Sequence, residues 1–157
     1  MVDREELLEK YAGTEKDFTG QRFVGANWID KIVIGGIYHR TNFRDASFIR
    51  SGFDKADLSL ANFSGARMFE SGFGWDCYME RIDFSYASFS QCNFQGVNLT
   101  RAIFRNSTIS ETSFKNANLS HVDLSGVKEF DSCSCKGIIF YETIMPDGSI
   151  RTDTPSN

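Results

Sequence analysis

Histidine and proline are scarce in this chain, with two of each in 157 residues. The two histidines, His39 and His121, fall on outward positions of a five-residue repeat, and we expect both to be solvated surface residues. The nucleophile motif G-x-S-x-G and the phosphate-binding motif G-x-x-x-x-G-K-[ST] are both absent. We therefore predict no catalytic residues, no cofactor and no enzyme activity.

Cysteine is limited to four residues, and their spacing argues against a metal centre. A structural zinc site needs four ligands, commonly in C-x₂₋₄-C pairs. Only Cys133 and Cys135 are close neighbours, and they form C-x-C. We predict no metal site, while a redox role for Cys133 and Cys135 stays open.

Long apolar runs and a secretory leader are also missing. No stretch approaches the roughly 18 apolar residues typical of a membrane-spanning helix. The first residues, MVDREELLEK, are acidic and lack the basic start and apolar run of a signal peptide. These features predict a cytoplasmic protein with reduced cysteines and no membrane partner.

A basic surface is missing as well. The net charge is −4, but residues 16–127 hold 12 Lys or Arg against 11 Asp or Glu, so the acidic excess lies at the two ends. Nucleic-acid-binding domains carry clustered positive charge on one face. A nucleic-acid partner is therefore not predicted.

What the sequence has in excess is phenylalanine, with 15 residues, and it recurs every five positions. From Phe18 to Tyr78 every fifth residue is apolar or aromatic, and after one extra residue the series resumes at Phe84 and runs to Leu124. Two positions before most of these residues stands a small one, and just before many of them stands Asp or Asn. The Asp or Asn residues are Asp57, Asn62, Asp83, Asn93, Asn98, Asn118 and Asp123.

A period of five fits neither a helix nor a long strand, whose periods are 3.6 and 2. One large and one small inward residue per repeat describe a narrow, filled tube whose chain turns a corner at every repeat. Neighbouring coils would then be paired at about 4.8 Å.

The repeats resemble those of the pentapeptide-repeat family, whose motif is A(D/N)Lxx or its Phe variant. Matching runs are ADLSL at 56–60, ANFSG at 61–65, CNFQG at 92–96 and ANLSH at 117–121. The resemblance implies an all-β, right-handed quadrilateral β-helix with four repeats per coil, here about five and a half coils. Four repeats per coil predict stacked aromatic columns, one with Phe23, Phe43, Phe63, Phe84 and Phe104 and another with Phe53, Phe73, Phe94 and Phe114. The run MPDGSIR resembles C-terminal tails of cyanobacterial members.

The ends of an open tube need covering. We predict an N-terminal capping helix within 1–15, the β-helix over 16–127, a C-terminal cap over 128–150 and a disordered tail over 151–157. Gln21 and Lys31 occupy positions that are small in other repeats, so the first coil is expected to be irregular.

The extra residue falls within 74–83. With Tyr78 taken as inward, Cys77 is expected at a corner, and Asp76 and Ile82 break the small-residue rule. A bulge that absorbs one residue explains this segment. A binding irregularity on the shaft is the other interpretation.

One surface feature suggests a binding site. On the four-per-coil scheme Ile29, Ile49 and Phe69 stack on one outer face, beside Asp30, Arg50 and Glu70, and Trp75 follows on the adjacent face. An apolar strip rimmed by charge is typical of a partner surface. Residues of these types are also favoured on any sheet face.

These observations favour a non-catalytic structural or protein-interaction module with an unknown protein partner, as a monomer or an end-to-end homodimer. Some members of the family resemble B-form DNA and modulate DNA gyrase, which requires a strongly acidic rod. The near-neutral charge of residues 16–127 disfavours that alternative.

Overall fold

The computed structural model describes residues 17–153, and their backbone forms a β-solenoid of stacked parallel coils. Residues about 20 positions apart lie side by side in successive coils. The strands are β1 (Asn27–Ile29), β2 (Ile32–Ile34), β3 (Ser47–Ile49), β4 (Gly52–Asp54), β5 (Arg67–Phe69), β6 (Gly72–Phe73), β7 (Ser88–Ser90), β8 (Thr108–Ser110), β9 (Thr143–Ile144) and β10 (Ile150–Arg151).

Each coil has four faces, as the sequence predicts. The third face in chain order is a five-stranded parallel sheet in the order β1-β3-β5-β7-β8, and the fourth contains β2-β4-β6. The first and second faces are held by single parallel bridges, such as Asp57 with Tyr78 and Asn62 with Asp83. The four-repeat coil is thereby confirmed.

The predicted aromatic columns fill the interior. Phe43 and Phe63 are stacked with ring centroids 4.6 Å apart, and Phe84 lies 5.0 Å from Phe104. On the fourth face Phe94 is stacked on Phe114 at 5.1 Å. Burying each ring contributes roughly 1.5–3 kcal/mol, and each aromatic pair adds about 0.5–1.5 kcal/mol. The interior columns therefore supply most of the stabilisation of the shaft.

The Asp or Asn before an inward residue has a defined local role. Its side-chain oxygen accepts a hydrogen bond from the N–H two residues further on; the Ser64 amide, for example, donates to Asn62 Oδ1 at 2.8 Å. This bond mimics a backbone turn and directs the chain around the corner. The third face has Ser47, Arg67 and Ser88 at that position, and there the chain stays extended.

The predicted position of the extra residue is wrong. Tyr78 is 72% exposed, whereas Met79 is 1% exposed and fills the large inward position. Cys77 is buried at the small position and not at a corner, and Ile82 takes the next small position. The extra residue therefore lies between Phe73 and Cys77, where a turn replaces the extended corner used by the preceding coils.

The coil continues past the last five-residue match. Lys128 pairs with Thr108, Ile139 with Asn118 and Ile144 with Asp123, all in parallel. Glu129 has φ 63° and leads into a 3₁₀-helix, Phe130–Ser132, which accommodates the irregular spacing. The five-residue pattern of the sequence therefore ends near residue 128, whereas the parallel backbone pairing between coils continues beyond it.

Beyond this coil, β9 and β10 form an antiparallel hairpin around the predicted PDGS turn. The guanidinium of Arg151 lies 4.1 Å from the Phe140 ring centroid, and the Asp153 amide donates to the Phe140 carbonyl at 2.9 Å. Residues 151–153 of the predicted tail therefore contact the last coil.

The predicted capping helix within 1–15 lies outside the described residues. The first coil pairs in register with the second through β1 with β3 and β2 with β4, so the expected irregularity is not found over 17–36. Among residues 17–153 no helix has the length and apolarity needed to cross a bilayer.

Candidate interaction surface

The predicted apolar strip is a continuous column on the third face. Ile29 on β1 is in register with Ile49 on β3, which is in register with Phe69 on β5. Because successive side chains of a strand point to opposite faces, each follows a buried residue and points outward. Ile29 and Phe69 are each 42% exposed, and Ile49 is half-buried. We call this column the apolar strip.

A charged column borders the apolar strip at the next corner. The Arg50 Nε donates to Asp30 Oδ1 at 2.6 Å, and its Nη2 donates to Asp30 Oδ2 at 3.0 Å. This bidentate contact lowers the pKa of Asp30 and raises that of Arg50, whose pKa the Glu70 charge raises further. Within residues 17–153, the Glu70 carboxylate has no ion-pair partner. The signs alternate along the column, negative, positive, negative.

Trp75 is not part of the apolar strip. It lies on the turn after β6, between the fourth and first faces, and is 73% exposed. Its Cβ is close to Gly96 in the next coil. Tyr78 begins the following face and is equally exposed. Trp75 lies within the segment that contains the extra residue, and Tyr78 lies just after it. The sequence analysis missed this exposed pair because it placed Tyr78 in the interior.

Exposed apolar residues also occur on the fourth face. Ile32 and Ile34 on β2 are 62% and 52% exposed, beside Gly52 on β4. A Cβ at Gly52 would lie 2.1 Å from the carbonyl oxygen of Gly72 in the next coil, so only glycine fits there. At Gly52 and Gly72 the fourth face is therefore bare backbone, bordered by Ile32 in the preceding coil.

A column of hydroxyl and thiol side chains runs inside the corner between the third and fourth faces. Its members are Ser51, Ser71, Cys92, Thr112 and Cys133. The Ser51 amide donates to Ser71 Oγ at 3.1 Å, and that hydroxyl donates to the Phe69 carbonyl at 2.8 Å. The five-residue rule predicted only small size here, because it does not show which carbonyl groups an extended corner leaves to be satisfied.

The cysteines are placed for packing. Burial raises the pKa of Cys92 to about 11, and burial likewise raises the pKa of Cys77, Cys133 and Cys135. Because thiolate is the reactive form, these thiols are poor nucleophiles at neutral pH. Among residues 17–153, no three His, Cys, Asp or Glu side chains are grouped so that they could hold a metal ion.

The two histidines do not come together. His39 lies on the second coil, and His121 lies on a later corner, where its Nδ1 is 3.3 Å from Glu142 Oε2 and its ring contacts Tyr141 edge-on at 5.3 Å. The His121 contacts join the last two coils. They stabilise the surface locally and bring no nucleophile to the imidazole.

Comparison with known proteins identifies the repeat. A sequence model described as pentapeptide repeats matches in eight copies, over residues 35–68 and 77–120. The interruption between the two matched segments contains the extra residue. No curated protein sequence matches the chain significantly.

Solved structures of similar architecture include HetL, a pentapeptide repeat protein involved in heterocyst differentiation regulation from the cyanobacterium Nostoc sp. strain PCC 7120. It is 16% identical over 96% of this chain and 100% of HetL, with a TM-score of 0.41. QnrB1, a plasmid-mediated fluoroquinolone resistance protein, is 19% identical over 76% of this chain and 75% of its own, with a TM-score of 0.36. Rfr23 from the cyanobacterium Cyanothece 51142 is 18% identical over 88% and 94%, with a TM-score of 0.28.

Proposed function

This chain belongs to the pentapeptide-repeat family, and from that premise we propose that it is a non-catalytic module that binds another protein through the outside of its shaft. The observation that carries the proposal is the apolar strip of Ile29, Ile49 and Phe69, held in register on a rigid parallel sheet and bordered by charge. Aromatic and aliphatic side chains surrounded by polar groups are the usual composition of a partner surface.

The shaft suits such a role because its geometry is fixed before binding. The hydrogen bonds between coils and the stacked interior hold the strip in one conformation, so that little conformational entropy is lost on association. Trp75 lies at the far edge of the adjacent fourth face and Tyr78 on the first face, opposite the strip, and both are exposed enough to contact a partner that wraps the shaft. Aromatic residues of this kind are enriched among binding hot spots.

Affinity capture with matched variants tests the proposal. The double variant Ile49→Ser and Phe69→Ser removes most of the apolar strip, whereas Ile139→Ser removes an exposed isoleucine from the first face of the last coil. We expect the wild type and Ile139→Ser to retain the same partner from native lysate and the double variant to lose it. Trp75→Ser, tested alone, shows whether the partner reaches across the fourth face to the corner with the first face.

The capture experiment also has a clear negative result. A set of captured proteins that is identical for all variants would contradict a binding role for the apolar strip. Circular dichroism and thermal melting of each variant establish that lost capture is not lost folding.

Modulation of DNA gyrase by charge mimicry is the weaker alternative. DNA mimicry needs a dense negative field along the rod, whereas Arg50 and Asp30, or Arg105 and Asp123, neutralise one another on this shaft. We expect no change in gyrase supercoiling at low micromolar concentrations of the protein. Inhibition in that range would reverse the ranking of the two functions.

A further inference from the structure

We propose that the occupant of the apolar strip is the same strip of a second copy of this chain, in an antiparallel two-fold dimer formed by the third faces. This inference rests on the proposed function of the third face as a binding surface. It follows from the order of charges along the corner and the order of apolar side chains beside them.

A two-fold axis that lies in the interface and runs along the strands turns one shaft upside down on the other. Each vertical column then faces itself with its order reversed. The apolar strip faces the partner's apolar strip, and the charged column faces the partner's charged column. Whether the contact is favourable depends only on the height of the axis along the shaft.

An axis midway between β3 and β5 makes both columns complementary. Arg50 then faces the partner's Glu70, and Glu70 faces the partner's Arg50. Each Glu70 carboxylate therefore gains one facing cation, and the contact occurs twice in the dimer. Ile49 faces the partner's Phe69 in the same two-fold manner. Asp30 at the edge meets the partner's Gln91, an amide that can donate to it.

The other heights are worse. An axis through β3 sets Arg50 against the partner's Arg50 and Asp30 against the partner's Glu70. An axis between β5 and β7 pairs Arg50 with the partner's Glu111, but it opposes Phe69 to the partner's Ser90. A dimer with parallel shafts places the two charged columns at opposite edges of the interface. An axis between β1 and β3 sets Asp30 against the partner's Arg50 and Ile29 against the partner's Ile49. It leaves Phe69 and Glu70 with no described residue opposite them. Of these registers, only the one midway between β3 and β5 places Glu70 against a cation and Phe69 against an apolar side chain; its one apolar mismatch is Ile29 against the partner's Ser90.

The size of the face sets the strength of the dimer. Five strands at about 4.8 Å give a length of about 24 Å, and three residues with a corner give a width of about 13 Å. This flat area is smaller than the roughly 800 Å² per partner of a standard interface. We therefore expect a weak, concentration-dependent dimer that dissociates further in high salt, because its charge pairs are exposed.

Charge exchange tests this register specifically. In Arg50→Glu both facing residues are acidic, and in Glu70→Arg both are basic, so each variant repels its own copy. Mixed together, the two variants restore both opposite-charge contacts across the axis. Arg101→Glu, on a corner of the first face, is the matched control for charge reversal outside the interface.

Sedimentation equilibrium of the full chain, with fluorescent labels for the mixed sample, measures the outcome. We expect each single variant to weaken dimerisation by about tenfold or more, the equimolar mixture to recover to within about threefold of the wild type, and Arg101→Glu to behave as the wild type. Because each component associates weakly on its own, stronger association in the mixture cannot come from repair of a folding defect.

Three results would overturn the dimer. These are a wild type that stays monomeric up to about 1 mM, a mixture no more associated than its components, or equal weakening by Arg101→Glu. If the wild type is monomeric while capture of another protein depends on Phe69, the dimer is refuted and the proposed binding function stands. If the dimer forms as described but no other partner depends on Phe69, the binding function is confined to self-association.

Discussion

The coils before the extra residue, 17–73, and those after it, 77–126, share an interior and differ in exterior. In both, an aromatic or aliphatic side chain fills the tube every five residues and is almost fully buried. The large exposed apolar residues of 17–153, however, lie either between 29 and 86 or from 139 onward, and none lies within 87–138. The earlier coils also have an extended fourth face, where the later ones have turns.

The comparison separates two kinds of constraint. Inward residues are constrained by the volume of the tube, which is the same in every coil. Outward residues are constrained only by the local corner and by whatever contacts the surface. Tyr78 and Tyr86 belong to the first coil after the extra residue, so the change of exterior falls within that coil. The shaft up to Tyr86 is therefore the part suited to binding, and variants at matched positions test that distinction.

The largest expected effect tests whether the interiors are equivalent. Phe63→Ala in the earlier coils and Phe104→Ala in the later coils each remove a fully buried ring from the same column. Both should lower the free energy of unfolding by about 3–5 kcal/mol, measured by urea denaturation. A difference above about 2 kcal/mol between them would show that the two interiors are packed differently.

The next prediction concerns the junction of the two regions. Met79→Ala removes a buried side chain and should cost about 2–5 kcal/mol of unfolding free energy. Tyr78→Ala removes an exposed one and should change it by less than about 0.5 kcal/mol. Thermal melting of the two variants shows which substitution destabilises the protein more. A larger loss for Tyr78→Ala would mean that Tyr78 points inward and that the extra residue lies after it.

A third pair tests the fourth face. Gly52→Ala forces a methyl group onto the Gly72 carbonyl and should lower the unfolding free energy by about 1–3 kcal/mol. Ser113 occupies the equivalent position in a later coil and already carries a Cβ, so Ser113→Ala should be neutral within about 0.5 kcal/mol. Equal melting temperatures for the two variants would show that a methyl group at position 52 is accommodated without a clash with the Gly72 carbonyl.

The smallest effects have opposite signs. Ser71 accepts from the Ser51 amide and donates to a carbonyl, so Ser71→Ala should destabilise the protein by about 1 kcal/mol. Among residues 17–153 the buried Ser107 hydroxyl has no hydrogen-bond partner, and alanine holds this column position in earlier coils. Ser107→Ala should therefore stabilise the protein by a similar amount. Calorimetry that shows a loss of stability for Ser107→Ala would indicate a bond to that hydroxyl.

Much of the fold follows from the repeat, including the aromatic columns and the turns directed by residues such as Asn62 and Asp83. The inward position of Met79 was predictable from the sequence, because the small-residue rule, applied to Cys77, selects Met79 and not Tyr78 as the next large inward residue. The end of the coil was harder to predict. Glu129 breaks the pattern, yet the parallel pairing continues through Ile139 and Ile144.

For the candidate surface, the sequence predicted the order of Ile29, Ile49 and Phe69 because stacking follows from the coil length. It separated Trp75 from the strip, but it missed the exposure of Tyr78 beside Trp75. It also could not show that Arg50 binds Asp30 and leaves Glu70 unpaired. Rotamer choice among exposed long side chains depends on neighbours in adjacent coils.

The amino-acid sequence by itself determined that this protein is a narrow, filled tube, because side chains that recur every five residues can all be buried only if the chain turns a corner at every repeat. Four corners per coil followed from the resemblance of the repeats to the pentapeptide-repeat family. The tertiary structure alone decided where the extra residue is absorbed, which corners stay extended and how the final coil closes. Those features depend on hydrogen bonds between residues one coil apart, and no local spacing rule contains that information.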